Sequence, residues 1–155
     1  MAWFAAQGFQ VTGVDRSADA AQTARAYGEF VLADIENDAW PLMRAGLPRQ
    51  FDGVVVTNYL WRALFPTILQ SLAPGGVLLY ETFATGNETV GKPSRPDFLL
   101  QPGELLQVCQ KLEVVAYENG FLTTPERFVQ RIVAVAPAPG KVPDGASPRH
   151  PLSLE

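Results

Sequence analysis

Four short apolar runs constrain this chain more than any other feature. Each closes on an acidic or amide side chain, and residues suited to helices or turns lie between them. Residues 9–14 (FQVTGV) end at Asp15, residues 30–33 at Asp34, residues 54–57 at Asn58 and residues 77–80 at Glu81. Near-continuous, β-branched runs of this length read as strands buried on both faces. Ser17 offers an N-cap to residues 18–25, which are good helix formers. Residues 62–72 place Leu64, Phe65, Ile68, Leu69 and Leu72 at helical spacing. Strands alternating with helices predict an α/β fold with a mostly parallel, doubly wound sheet.

The remaining punctuation is local. Residues 1–7 read as the end of a helix, broken at Gly8, and Pro74-Gly75-Gly76 reads as a turn before the fourth run. Residues 83–101 form a long loop rich in Gly, Pro, Asn and Thr, including Asn87, Arg95 and Asp97; it is either a lid or plain surface. Pro102 suits the first turn of a following helix. Residues 112–117 and 128–135 are expected to form an antiparallel strand pair at one end of the sheet, with Glu118-Asn119-Gly120 as the turn that ends the first. One domain is expected over residues 1–136. Residues 137–155 read as a disordered tail, with Leu154-Glu155 a cloning remnant.

Composition closes off several chemistries. A single cysteine, Cys109, excludes an intramolecular disulfide framework and a cysteine-based zinc site; its apolar setting predicts a buried thiol. The sole histidine, His150, lies in the polar tail, which argues against a Ser-His-Asp triad or a histidine metal cluster. A net charge of −4 argues against nucleic-acid and anionic-membrane partners. No apolar run is long enough to span a bilayer and the first residues lack a basic leader, so a reducing cytoplasmic setting is expected.

Four segments in order, 8–15 (GFQVTGVD), 33–42 (ADIENDAWPL), 51–60 (FDGVVVTNYL) and 72–78 (LAPGGVL), resemble the class I S-adenosylmethionine-dependent methyltransferases, in particular small bacterial ones of the tellurite-resistance-like kind. The likeness covers residues 1 to 136 and implies a Rossmann-like sheet with a reversed last strand. It implies S-adenosylmethionine as cofactor and a small-molecule methyl acceptor. Asp15, with Arg16 beside it, stands where a carboxylate accepts hydrogen bonds from both ribose hydroxyls; the alternative is a simple helix cap near Ser17. Asp34 and Ile35 stand where the family holds adenine, although an acid at a strand end is common. Asn58 would face the methionine part or the acceptor. Tyr59 and Glu81 are candidate acceptor-side residues. Glu81 would take a proton from the acceptor or hydrogen-bond the loop.

One element of the resemblance is missing. No Gly-x-Gly-x-Gly-like loop precedes Asp15, and the first strand that should lead into it is absent as well. The gap is on the order of 20 to 40 residues, given the size of a βαβ unit. Such a loss should leave two strand edges unpaired. Direct pairing of the flanking strands, or a homodimer that fills the gap, is expected ahead of a split sheet. Two rival readings follow: a non-catalytic fragment of the fold, and a nicotinamide-dependent oxidoreductase, for which Asp15 would also bind a ribose.

Overall fold

The computed structural model describes residues 1–138, 140 and 150. These divide into two compact units, Met1–Arg49 and Gln50–Glu155. The expected tail, including Leu154-Glu155, lies largely outside the described residues.

The first unit opens with helix α1 (Ala2–Ala6) and strand β1 (Thr12–Asp15). Helix α2 (Ala18–Ala24) follows, then strand β2 (Glu29–Leu32). Ser17 has the extended backbone of an N-cap, and its hydroxyl accepts the Ala20 N–H at 3.2 Å, as its position predicts. β1 and β2 pair in parallel, with Asp15 opposite Leu32. A right-handed crossover through a helix is the ordinary way to join such a pair. Arg49 ties the two strands together: its guanidinium meets Glu29 at 2.6 Å and donates to the Thr12 hydroxyl at 3.1 Å.

Residues 33–50 carry no helix. They form a two-residue hairpin, β3 (Met43–Arg44) against β4 (Leu47–Pro48), closed by Ala45 and Gly46 at φ 52° and 80°. Positive φ at both central positions gives a turn whose twist matches the strands. Sequence reading passed over this hairpin because each strand has only two residues.

The second unit is a four-stranded sheet in the order β5-β6-β8-β7. β5 (Phe51–Thr57) pairs in parallel with β6 (Leu72–Phe83); β8 (Glu126–Val135) runs antiparallel to both β6 and β7 (Glu113–Thr123). The mixed sheet, parallel with a reversed antiparallel end, agrees with the expected fold class. The predicted turn at Glu118-Asn119-Gly120 is not one: β7 runs through it, with Gly120 opposite Val129, and the chain reverses at Thr124-Pro125 instead. The long β8 supplies a hydrogen-bonding partner along that whole stretch, which overrides the local turn preference of Asn-Gly. Pro74-Gly75-Gly76 likewise lies within β6, at a register shift between Phe51 and Gly53. Gly75 has φ 77°, and a Cβ on Gly76 would lie 2.9 Å from the carbonyl oxygens of Ala73 and Phe51. A larger residue there would push the two strands apart.

The predicted helix over 62–72 is shorter than expected: a 3₁₀ turn (Arg62–Leu64) leads into α3 (Phe65–Gln70). α4 (Glu104–Val108) begins after Gly103 in a left-handed conformation, so Pro102 lies before the helix rather than in its first turn. Both helices cover one sheet face. Phe65 of α3 meets the Tyr80 ring edge-on at 5.9 Å, and the N–H of fully buried Leu105 in α4 donates to Gln130 Oε1. Leu78, Tyr80 and Thr82 of β6 and Gln130, Ile132 and Ala134 of β8 form the buried side of that layer.

Within the first unit β1 is bonded to β2, and within the second β5 is bonded to β6.

Candidate functional site

The named residues of the first unit collect at the C-terminal ends of its two parallel strands. Asp15 is exposed there; its Oδ1 accepts the Ser17 N–H at 2.8 Å, and its carbonyl accepts from Ala33 at 3.1 Å. That bond, to the N-cap residue of α2, occupies one carboxylate oxygen, and Oδ2 has no hydrogen bond among the described residues. Arg16 beside it is exposed.

Asp34 has a more committed carboxylate. Oδ1 accepts the Glu36 N–H at 3.1 Å and Oδ2 accepts the Asn37 side-chain amide at 2.9 Å. These bonds, with the charge of Arg16 at longer range, hold its carboxyl below the usual carboxylate range. Asp34 thus closes the turn after β2. Each carboxylate oxygen has two lone pairs, so acceptor capacity remains. Ile35 is half-buried beside it.

In the second unit, Asn58, Tyr59 and Glu81 come together at the C-terminal ends of β5 and β6. The Asn58 N–H donates to the Glu81 carbonyl at 2.9 Å. Asn58 has φ 53°, a conformation that non-glycine residues rarely adopt and that clusters at functional sites. The Tyr80 hydroxyl donates to the Tyr59 carbonyl at 2.9 Å, and burial raises the Tyr80 hydroxyl well above the ordinary phenol range, so it stays a neutral donor. Leu60 is core.

Among the described residues no hydrogen bond joins the Glu81 side chain to the 83–101 loop, and its carboxylate lies between two guanidinium groups. Arg127 Nη2 is 3.0 Å from Oε1 and Arg131 Nε is 2.6 Å from Oε2. Arg131 also donates to Glu118 at 3.1 Å, making a cross-strand charge ladder over β6, β8 and β7. Sequence reading missed these arginines. The available signal was their spacing: four apart on a strand, they share a face.

The 83–101 loop is pinned rather than free. Asn87 is 1% exposed; its Nδ2 donates to the Pro93 carbonyl at 2.9 Å and its Oδ1 accepts the Phe128 N–H at 3.2 Å. Arg62 donates to both Glu104 carboxylate oxygens, at 2.7 and 3.0 Å, and to the carbonyls of Asp97 and Leu99. Leu99 and Leu100 are buried beneath. Arg95 and Asp97 form an exposed pair at 2.8 Å. Cys109 is fully buried, as expected, and burial pushes its thiol up to about 11.

Solved structures with this arrangement of elements are numerous. TehB from Haemophilus influenzae superposes with a TM-score of 0.63 at 19% identity, over 87% of this chain and 52% of its own. A SAM-dependent methyltransferase from Methanosarcina mazei gives 0.62 at 15% identity, over 88% of this chain and 86% of its own. This is the fold of the class I S-adenosylmethionine-dependent methyltransferases. The 1,6-didemethyltoxoflavin-N1-methyltransferase of Burkholderia thailandensis, solved with S-adenosylhomocysteine and its 1,6-didemethyltoxoflavin, gives 0.57 at 18% identity, over 88% of this chain and 65% of its own. The chain spans about half the length of TehB. No family model matches the sequence, and no curated protein sequence matches it. Among the described residues no helix is long and apolar enough to cross a membrane.

Proposed function

We propose that residues 1–136 are one methyltransferase-like domain whose complete form transfers the methyl group of S-adenosylmethionine to a small-molecule acceptor. The observation that carries this reading is Asp15. It ends β1, accepts the N–H of the helix N-cap Ser17 with one oxygen and has no bond at the other among the described residues, which suits a ribose diol. Asp34 and Ile35 end the neighbouring strand and would meet the adenine; Arg16 would flank the ribose. Asn58, strained at the end of β5, would orient the methionine part or the acceptor. When bound, the cofactor supplies an activated sulfonium donor, so the protein's task is to align the two partners and exclude water.

Tyr59 and Glu81 would stand on the acceptor side. With its oxygens held by Arg127 and Arg131, Glu81 serves better as an anchor for those cations than as a base. The fold by itself does not fix chemistry. The alternative is a chain that keeps the fold but binds no cofactor. A second copy pairing along the β5 edge would complete the sheet, and sedimentation equilibrium checks it.

Titration calorimetry with S-adenosylmethionine and S-adenosylhomocysteine tests the main reading. Saturable heat with both, and none with a nicotinamide dinucleotide, is the expected outcome. Heat with the dinucleotide instead would overturn it, and silence with every nucleotide would select the cofactor-free reading.

A further inference from the structure

The two halves of the 83–101 loop are fastened in different ways. Its neck is closed by backbone bonds: the Thr85 N–H donates to the Leu100 carbonyl and the Leu100 N–H to the Phe83 carbonyl, both at 3.0 Å. The first half is wound on buried Asn87, whose carbonyl accepts from Val90 and Gly91 and whose side chain holds Pro93. Asn87 is in turn anchored to Phe128, so this half is tied to the sheet. The second half has no such core. Ser94, Arg95, Pro96 and Asp97 are exposed. The internal bonds here are local: the Phe98 N–H donates to the Arg95 carbonyl, the Leu99 N–H to the Pro96 carbonyl, and Arg95 pairs with Asp97. Among the described residues, one hydrogen bond carries residues 94–98 to another element, from Arg62 Nη1 to the Asp97 carbonyl at 2.7 Å.

Arg62 is well seated for that task. Its Nε and Nη2 donate to the two carboxylate oxygens of Glu104, at 2.7 and 3.0 Å, and Nη2 also donates to the Leu99 carbonyl at 2.9 Å. The Glu104 side chain is 15% exposed and that of Arg62 is 40% exposed. The fork is therefore fixed by paired, charge-assisted bonds on its sheltered side, while Nη1 reaches an exposed turn where water can take over both partners. The place is specific as well. Arg62 follows Asn58 and Tyr59 on the connection out of β5, and the Tyr80 hydroxyl that holds the Tyr59 carbonyl lies within electrostatic reach of both Arg62 and Glu104. A compact surface loop with a closed neck and one weakly held half is a common form of functional loop.

We propose that residues 94–98 are a strap that Arg62 clasps to the acceptor-side connection bearing Asn58 and Tyr59, and that the strap opens between Pro93 and Leu99 while the rest of the loop stays fixed. This deepens the methyl-transfer reading and rests on it for the word acceptor. It gives that side of the site a gate with a named fastening, and it makes Arg62 a positioning residue.

Native-state hydrogen exchange of the full chain, followed by NMR in graded urea below the unfolding transition, tests the strap. In the unmutated chain the Phe98 and Leu99 amides should exchange through an opening nearly independent of urea, whereas Leu100 and Phe128 follow the steeper dependence of wider unfolding. Arg62→Lys keeps a cation for Glu104 but lacks the second arm that reaches Asp97. It should speed exchange at Phe98 and Leu99 about tenfold and leave Val90 and Gly91, on the Asn87 pin, unchanged. Equal acceleration at all four amides would make Arg62 a general structural tie and overturn the proposal. So would a shared urea dependence of Phe98, Leu99, Leu100 and Phe128 in the unmutated chain, whether or not the variant folds. Calorimetry with S-adenosylhomocysteine separates the two layers. Cofactor heat without a separate strap opening refutes the strap and leaves the methyl-transfer reading. Strap opening without cofactor heat supports the clasp and refutes methyl transfer.

Discussion

Replacing Asn87 by alanine should destabilise the second unit by about 2–4 kcal/mol, since it removes two hydrogen bonds and strands their partners. The structure sets that figure. Asn87 is 1% exposed and bridges the loop to β8, donating to Pro93 and accepting from Phe128. Each bond is worth about 1 kcal/mol net, and an orphaned buried partner costs about 1–3 kcal/mol. Pro93 and Phe128 are only half-buried, so water would recover part of that penalty, and the range is capped accordingly. Gly86, next to Asn87, adds to the constraint. It has φ 106°, and a Cβ there would come 2.9 Å from the Phe128 ring, so the loop has little room to re-form its contacts. Urea unfolding followed by circular dichroism measures the effect. With a slope of about 2 kcal/mol per molar urea, the midpoint should fall by roughly 1–2 M. Hydrogen exchange should show lost protection at Phe128 and Leu100, whose amides join this loop to the sheet. Asp97→Ala, which breaks an exposed pair, serves as a control and should change stability by less than about 0.5 kcal/mol. A loss below about 0.5 kcal/mol for Asn87→Ala as well would refute the reasoning and return the loop to the status of a mobile lid.

Asp15→Asn should weaken S-adenosylhomocysteine binding by about 10- to 100-fold in calorimetry, because a charge-assisted bond to a hydroxyl is worth about 1.5–3 kcal/mol; an unchanged affinity would remove Asp15 from the cofactor site. Cys109 should resist iodoacetamide at pH 8 in the folded chain and react once the chain is unfolded in urea. The same shift has a sign in stability. The folded thiol holds its proton to about 11 and the unfolded one does not, so its contribution is fully present below pH 9 and is lost between pH 9 and 11, a fall that Cys109→Ala should flatten. Glu104 behaves in the opposite sense. Burial opposes its charge, but the Arg62 bonds and the Gln101 N–H prevail and lower its carboxyl. Its contribution is therefore present above the ordinary carboxylate range and fades as pH falls through the lowered value, and Glu104→Gln should remove that part of the acid transition.

The sequence by itself placed these strands and the polar residues at or beside their C-terminal ends, although β6 runs on past Glu81 to Phe83. Runs such as VVVT and VLLY have the composition of strands whichever neighbour they find, and Asp15, Asp34, Asn58 and Glu81 follow them directly in the chain. Local patterning also sufficed for the Ser17 cap, whose partner Ala20 is a turn away, and the apolar run around Cys109 was enough to mark that thiol as buried. Tertiary structure decided whatever depends on a partner distant in sequence. Glu118-Asn119-Gly120 became strand because β8 lay alongside it, Asn87 became a buried strut because Phe128 and Pro93 reached it, and Glu81 became the centre of a cross-strand charge ladder because antiparallel register set Arg131 opposite it. Register between parallel strands is also beyond local reading, since only crossover packing sets it.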